Sequence, residues 1–179
     1  MQLPTAAGVG LAVHGDLALV ATPGGGALLI DLARGAREAV PFAAQDATGR
    51  VWLGARAGVV ELRGNRLVTF APAPAQAPSL CEGARERALG ARVTAFVYDD
   101  AQERLLCGTY VGNLIAAAAP SARLEQIGQI HSSAVTAILP LTTSARVATA
   151  CEGGEVRIGD ARLSTDGQPG IMEGRASPA

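Results

Sequence analysis

A nine-residue pattern recurs four times along this chain of 179 residues, and no other feature restricts the possible folds as strongly. The copies are LALVATPGG from Leu17, RVWLGARAG from Arg50, RLLCGTYVG from Arg104 and RVATACEGG from Arg146. Each opens on one residue, arginine in three cases, continues through four or five mostly apolar or small residues, and reaches glycine at the ninth position. A second apolar run follows that glycine, from Ala27, Val59, Leu114 and Val156. Short apolar runs bounded by Gly or Pro are strand signals, and a glycine-ended connection supplies the positive φ of a hairpin loop. Each copy therefore reads as a β-hairpin. The runs are nearly continuous rather than alternating, which implies strands covered on both faces.

A further candidate strand precedes each hairpin, from Val9, Pro41, Val93 and Val135, with polar turns at Gly15-Asp16, Asp46, Asp99 and Thr142. Weaker outer strands are expected around Arg37-Phe42 and Leu124-Ile130. The first residues of the copies are 33, 54 and 42 positions apart. The long interval holds a Pro/Ala-rich insertion, 71-91, expected to end in a short helix around Cys81-Leu89. Without that insertion the period is close to ~40 residues. The expected blades are 8-42, 43-73, 92-130 and 131-163 within one domain, 1-163, followed by a flexible tail, 164-179.

Four-stranded units at this period resemble the blades of a β-propeller. The last unit, from His131 to Ala161, is similar to a WD-repeat: a His precedes the first strand, a V-x-A-I run follows, and V-R-I-x-D ends at Asp160. Gly159 stands at the usual Trp position and Gly153 where the turn Asp is expected. The buried His/Asp/Ser/Trp network of that family is therefore expected to be incomplete. The second unit, from Asp46, looks more like the D-x-x-G-x-hydrophobic-W repeats of bacterial sensor propellers. The resemblance implies an all-β fold: a β-propeller or partial propeller of about four four-stranded antiparallel blades.

Four blades raise the matter of closure, since an open arc would leave apolar sheet faces wet. The chain is then a piece of a larger propeller, or pairs with another copy or partner, or closes as a small ring. In the ring, Gln2-Leu3 would add an outer strand to the last blade. The 36 alanines and 22 glycines suit tight packing in any of the three.

Composition limits the function. Apolar residues are 49% of the chain, enough to build a core, which excludes charge-driven disorder. All 15 basic residues are arginine, and the net charge of -1 gives no footprint for nucleic acid. No run approaches the ~18 apolar residues of a membrane span, and the N-terminus lacks the basic region of a secretory signal. Cys81, Cys107 and Cys151 are widely spaced and accompanied only by His14 and His131, so reduced thiols in a cytoplasmic or nuclear protein are expected, with no metal and no cofactor.

Individual residues point the same way. His14 reads as a solvated strand-end residue and His131 as a blade-junction histidine. Asp99, Asp100 and Glu103 read as a polar hairpin turn. Gly24-Gly25-Gly26 lacks the Lys-Ser/Thr of a phosphate loop. Trp52, the single tryptophan, is an anchor or a binding-face residue. Arg50, Arg104 and Arg146 hold equivalent places; they either pair with nearby acids or form a ring able to grip carboxylates. Together with Tyr110 these are the possible interaction residues. With no catalytic constellation, the expected function is a noncatalytic scaffold binding other proteins, neither nucleic acid nor membrane, as the resemblance implies. The alternatives are a small-ligand sensor and, less favoured for want of converging metal ligands, a propeller lactonase or lyase.

Overall fold

The computed structural model describes residues 10–22, 26–41, 49–54, 56–62, 65–118, 121, 123–141 and 146–160. Among the described residues there is no helix, and fifteen strands are arranged in four antiparallel sheets. The chain divides into two compact units, Met1–Gly90 with Ala119–Arg123 and Ala91–Ala118 with Leu124–Ala179.

The first unit holds two sheets. Sheet one is β1 (Gly10–His14), β2 (Leu17–Ala21), β3 (Ala27–Asp31) and β4 (Ala36–Ala39), hydrogen-bonded in chain order. Sheet two is β5 (Arg50–Leu53), β6 (Gly58–Leu62), β7 (Arg66–Pro72) and β8 (Cys81–Ala88), also in chain order. Alternation decides the core. Leu19 and Leu29 lie opposite one another across β2 and β3, and both turn towards sheet two. Val60, Val68 and Phe70 answer from sheet two, with Val51 packed at the edge of the cluster.

The second unit repeats this plan. Sheet three is β9 (Val93–Asp99), β10 (Arg104–Thr109), β11 (Asn113–Ala118) and β12 (Arg123–Gln129). Sheet four is β13 (Val135–Pro140), β14 (Arg146–Cys151) and β15 (Val156–Asp160). Leu106, Leu114 and Ala116 of sheet three pack with Val135 and Val147 of sheet four. Every residue of β10 is buried, as its unbroken apolar run predicts.

Three sequence expectations change. Cys81–Ala88 is strand β8, not a short helix. Its alternating exposure, with Glu82, Arg85 and Arg87 in solvent, is that of an outer strand paired to β7 on one side. The second repeat also sits differently: Arg50–Leu53 opens its sheet, whereas the segments from Leu17, Arg104 and Arg146 are second strands. β5 packs on β1 and β2 as β13 packs on β9 and β10, so β5 holds the place of a first strand.

The third change concerns the ninth-position glycines. Gly112 and Gly154 have positive φ, 86° and 80°, as the hairpin reading requires. Gly58 instead lies within β6, and its missing side chain makes room for the Phe70 ring across the pair. The expected strand from Pro41, the turns at Asp46 and Thr142, the outer strand from Gln2-Leu3, Gly25 and the tail 164-179 fall wholly or mainly outside the described residues.

Candidate functional site

The most developed polar arrangement lies in the second unit, where His131 joins sheet three to sheet four. Its side chain is fully buried. Nδ1 stands 3.0 Å from a Glu155 carboxylate oxygen and Nε2 stands 3.0 Å from the Thr149 hydroxyl. A carboxylate only accepts, so Nδ1 carries the proton, and in the neutral ring Nε2 accepts from Thr149. Glu155 also receives the Arg157 guanidinium at 2.7 Å. The bond from His131, followed by that from Arg157, holds its carboxyl below the usual carboxylate range.

The backbone fixes this ring. Gly112 accepts from the amides of Ile130 and His131 at 2.9 and 3.1 Å, which pins the histidine to the β10–β11 turn. Sequence reasoning placed the turn acid at position 153 and expected an incomplete network. The acid is Glu155, two residues on, reached because the turn from Cys151 to Gly154 brings it under the ring. Only the Trp position stays empty of a ring, at Gly159. Ser133 accepts from the Gly153 amide at 3.1 Å, and its bond to Cys151 pulls that thiol down. One donor atom each from His131, Cys151 and Glu155 lie within 4.8 Å of one another. The imidazole nitrogens and the carboxylate are engaged in hydrogen bonds with one another, with Thr149 and with Arg157.

A second polar clasp, not foreseen from sequence, lies in the first unit. Glu38 on β4 accepts from the Ser79 hydroxyl at 2.7 Å and from the Leu80 amide. The Leu80 bond, then Ser79, lowers its pKa. It thus ties the segment before β8 to sheet one. Burial, with Glu38 beside it, raises the Cys81 thiol. No spacing in the sequence links positions 38 and 79, so pattern reading had nothing to find.

The five candidate interaction residues separate by environment. Arg104 is buried and paired with buried Asp99 at 3.3 Å, inside the second unit. Arg50 is exposed and lies 3.6 Å from buried Glu61, its cross-strand partner. Arg146 is exposed at the start of β14. Trp52 is half-buried, with its ring over Gly54. Tyr110, 55% exposed, tops the β10–β11 turn. That turn is rigid: the Tyr110 amide donates to Arg92, and the Thr109 hydroxyl accepts from the Asn113 amide at 3.0 Å. His14 is exposed at its strand end, and Asp99 and Asp100 form the expected turn, accepting from Gln102 and Glu103.

Glu61 yields a pH prediction. Burial raises its pKa to about 7, against the opposing pull of Arg50. The folded pKa exceeds the unfolded one, so this stabilisation is complete below the unfolded pKa, near 4.5, and is lost as pH rises through about 7. Urea unfolding should show stability falling by on the order of 2 kcal/mol between pH 5 and pH 8, allowing for solvent on the Arg50 side. Glu61→Gln should abolish most of that slope, and an unchanged slope would show that another group sets it.

No protein-family model matches the sequence, and no curated protein does so. Solved structures do match it by fold. The computationally designed Ika4 protein is 14% identical with a TM-score of 0.54, covering 88% of this chain and 93% of that one. The β-propeller domain of Cps50 (Swd1) from Myceliophteria thermophila is 19% identical with a TM-score of 0.60, covering 92% of this chain and 55% of that one. A chain of a mitotic checkpoint complex is 13% identical with a TM-score of 0.60, covering 84% of this chain and 48% of that one. The fold is therefore that of a β-propeller, or of part of one. The chain spans about half the length of these last two chains.

Proposed function

We propose that the chain is a noncatalytic protein–protein interaction scaffold built on WD-repeat-like sheets. The observation that carries this reading is Tyr110: a large aromatic side chain, 55% exposed, held on a turn that backbone and Thr109 bonds keep rigid. Tyrosine so placed buries much area on binding at little entropic cost, as binding hot spots do. Exposed Arg146 opens β14 at the end of its sheet opposite that turn and offers a separate planar group suited to carboxylates. In support, the buried charged and imidazole side chains Glu61, Asp99, Arg104 and His131 each take part in ion pairs or sheet-joining bonds. One fold relative lies within a mitotic checkpoint complex, a setting in keeping with protein partners.

The test is crosslinking from position 110 in the source cells, followed by binding of the recovered protein to the purified chain. Tyr110→Ala should weaken that binding by ~10-fold or more and leave the unfolding midpoint unchanged. Binding unaffected by Tyr110→Ala would remove this surface from the proposal. Stabilisation by several degrees with one metabolite class, and no recovered protein, would instead establish the sensor reading.

A further inference from the structure

Sheet four has two unlike faces. One carries Val147, Thr149 and Cys151 and is buried in the second unit. On the other, the register sets Leu139 opposite Ala148 and Ala148 opposite Ile158, and next to that row Ala137, Ala150 and Val156. All six are apolar, yet Leu139 is 61%, Val156 65% and Ile158 44% exposed. The face is a trough: alanines along β14, flanked by large side chains from β13 and β15. Apolar surface of this continuity is unusual on a free protein and marks an interface.

The chain itself shows what fits such a trough. In the first unit, Val51 of strand β5 lies over Gly10, where an added Cβ would stand 3.2 Å from it. In the second unit, Val135 of strand β13 lies over Gly108, leaving that glycine no room for a side chain. Both contacts set an apolar side chain of a sheet's first strand on a residue of minimal size in the sheet before it. Gly108 is the fifth residue of its nine-residue repeat, and Ala150 is the fifth residue of the last repeat. A matching ridge also exists. On β1, Ala12 turns to the core, while Leu11 and Val13 face away from it at 67% and 55% exposure.

We propose that the open face of sheet four docks sheet one of a second copy of this chain, with Leu11 and Val13 seated over Ala148 and Ala150. The contact is head-to-tail, between two different surfaces, and it continues between copies the sheet-on-sheet packing seen within each unit. Two copies also reach about the length of two of the matched chains, of which one copy spans 55% and 48%, whereas one copy already spans 93% of the Ika4 protein. This inference does not depend on Tyr110 or on what the scaffold binds.

Sedimentation of the full chain tests it. The protein should associate at micromolar concentration, as a dimer or a longer head-to-tail assembly. Ile158→Asp on one face, or Leu11→Asp on the other, should each weaken association by ~10-fold or more. Both positions are exposed, so circular dichroism and the unfolding midpoint of each monomer should stay close to wild type. Mixing the two variants should restore a heterodimer, because each retains the face the other lacks. A monomer at all concentrations, or association indifferent to both substitutions, overturns the proposal. The first of those results would assign the trough to another protein or to another segment of the same chain.

Discussion

Replacing Gly112 by alanine is expected to cost the protein about 3 kcal/mol or more, read as a lower urea midpoint at constant slope. Two independent faults combine there. The residue has φ of 86°, a region that a side chain disfavours. An added methyl would also overlap the carbonyl of His131. Relief by backbone movement carries its own cost, since the Gly112 carbonyl accepts from both Ile130 and His131. Shifting it would loosen the buried imidazole from Thr149 and Glu155. Gly154→Ala is the internal control: its φ is also positive, at 80°, but the added methyl meets open space. Backbone strain alone should then cost ~1 kcal/mol. Equal losses at the two positions would mean that the His131 carbonyl is not the obstacle.

The second large effect belongs to the pair Gly58 and Phe70. Phe70 is fully buried at the centre of the first unit, and its ring occupies the place a side chain at Gly58 would need. Phe70→Ala should cost roughly 3–5 kcal/mol through lost burial and the cavity left behind. Gly58→Ala should cost about 1–3 kcal/mol, because the methyl displaces the ring from a packed core. The two losses share one cause, so they should not add. With Phe70 already removed, the methyl at position 58 falls into vacated space, and the double variant should be more stable than the sum predicts by at least ~1 kcal/mol. Strict additivity in denaturant unfolding would show that the two residues do not compete for one volume.

These pairs also mark how far the sequence can be read. Strand positions were legible because they depend on local chemistry: apolar runs of four to six residues, ended by Gly or by Asp-rich turns. Within the described residues the outer strands β4 and β12 emerged where their weaker patterns suggested. Cys81–Ala88 was misread as helix because alanine and glutamate favour helices locally. There, pairing along β7 overrode propensity. The Arg50 segment was assigned to a second strand because its repeat matched the others. A repeat reports the shape of a hairpin, but not its place in the sheet.

Polar contacts were the least legible. His131 and Thr149 are 18 positions apart, and Glu38 and Ser79 are 41 apart. Such pairs leave no periodic trace, so only the arrangement of sheets discloses them. The three repeat arginines show the same limit. They are equivalent in sequence, yet Arg104 is buried on Asp99 while Arg50 and Arg146 are exposed, because neighbouring chain covers one and not the others.

The sequence by itself determined that this chain forms short antiparallel strands joined by tight turns, because strand and turn preferences act over a few residues. Tertiary structure decided which glycine serves a turn and which makes room for a ring, which acid meets His131, and which apolar face is left open. Those outcomes depend on what a distant strand sets opposite each residue, and that is settled only when sheets pack.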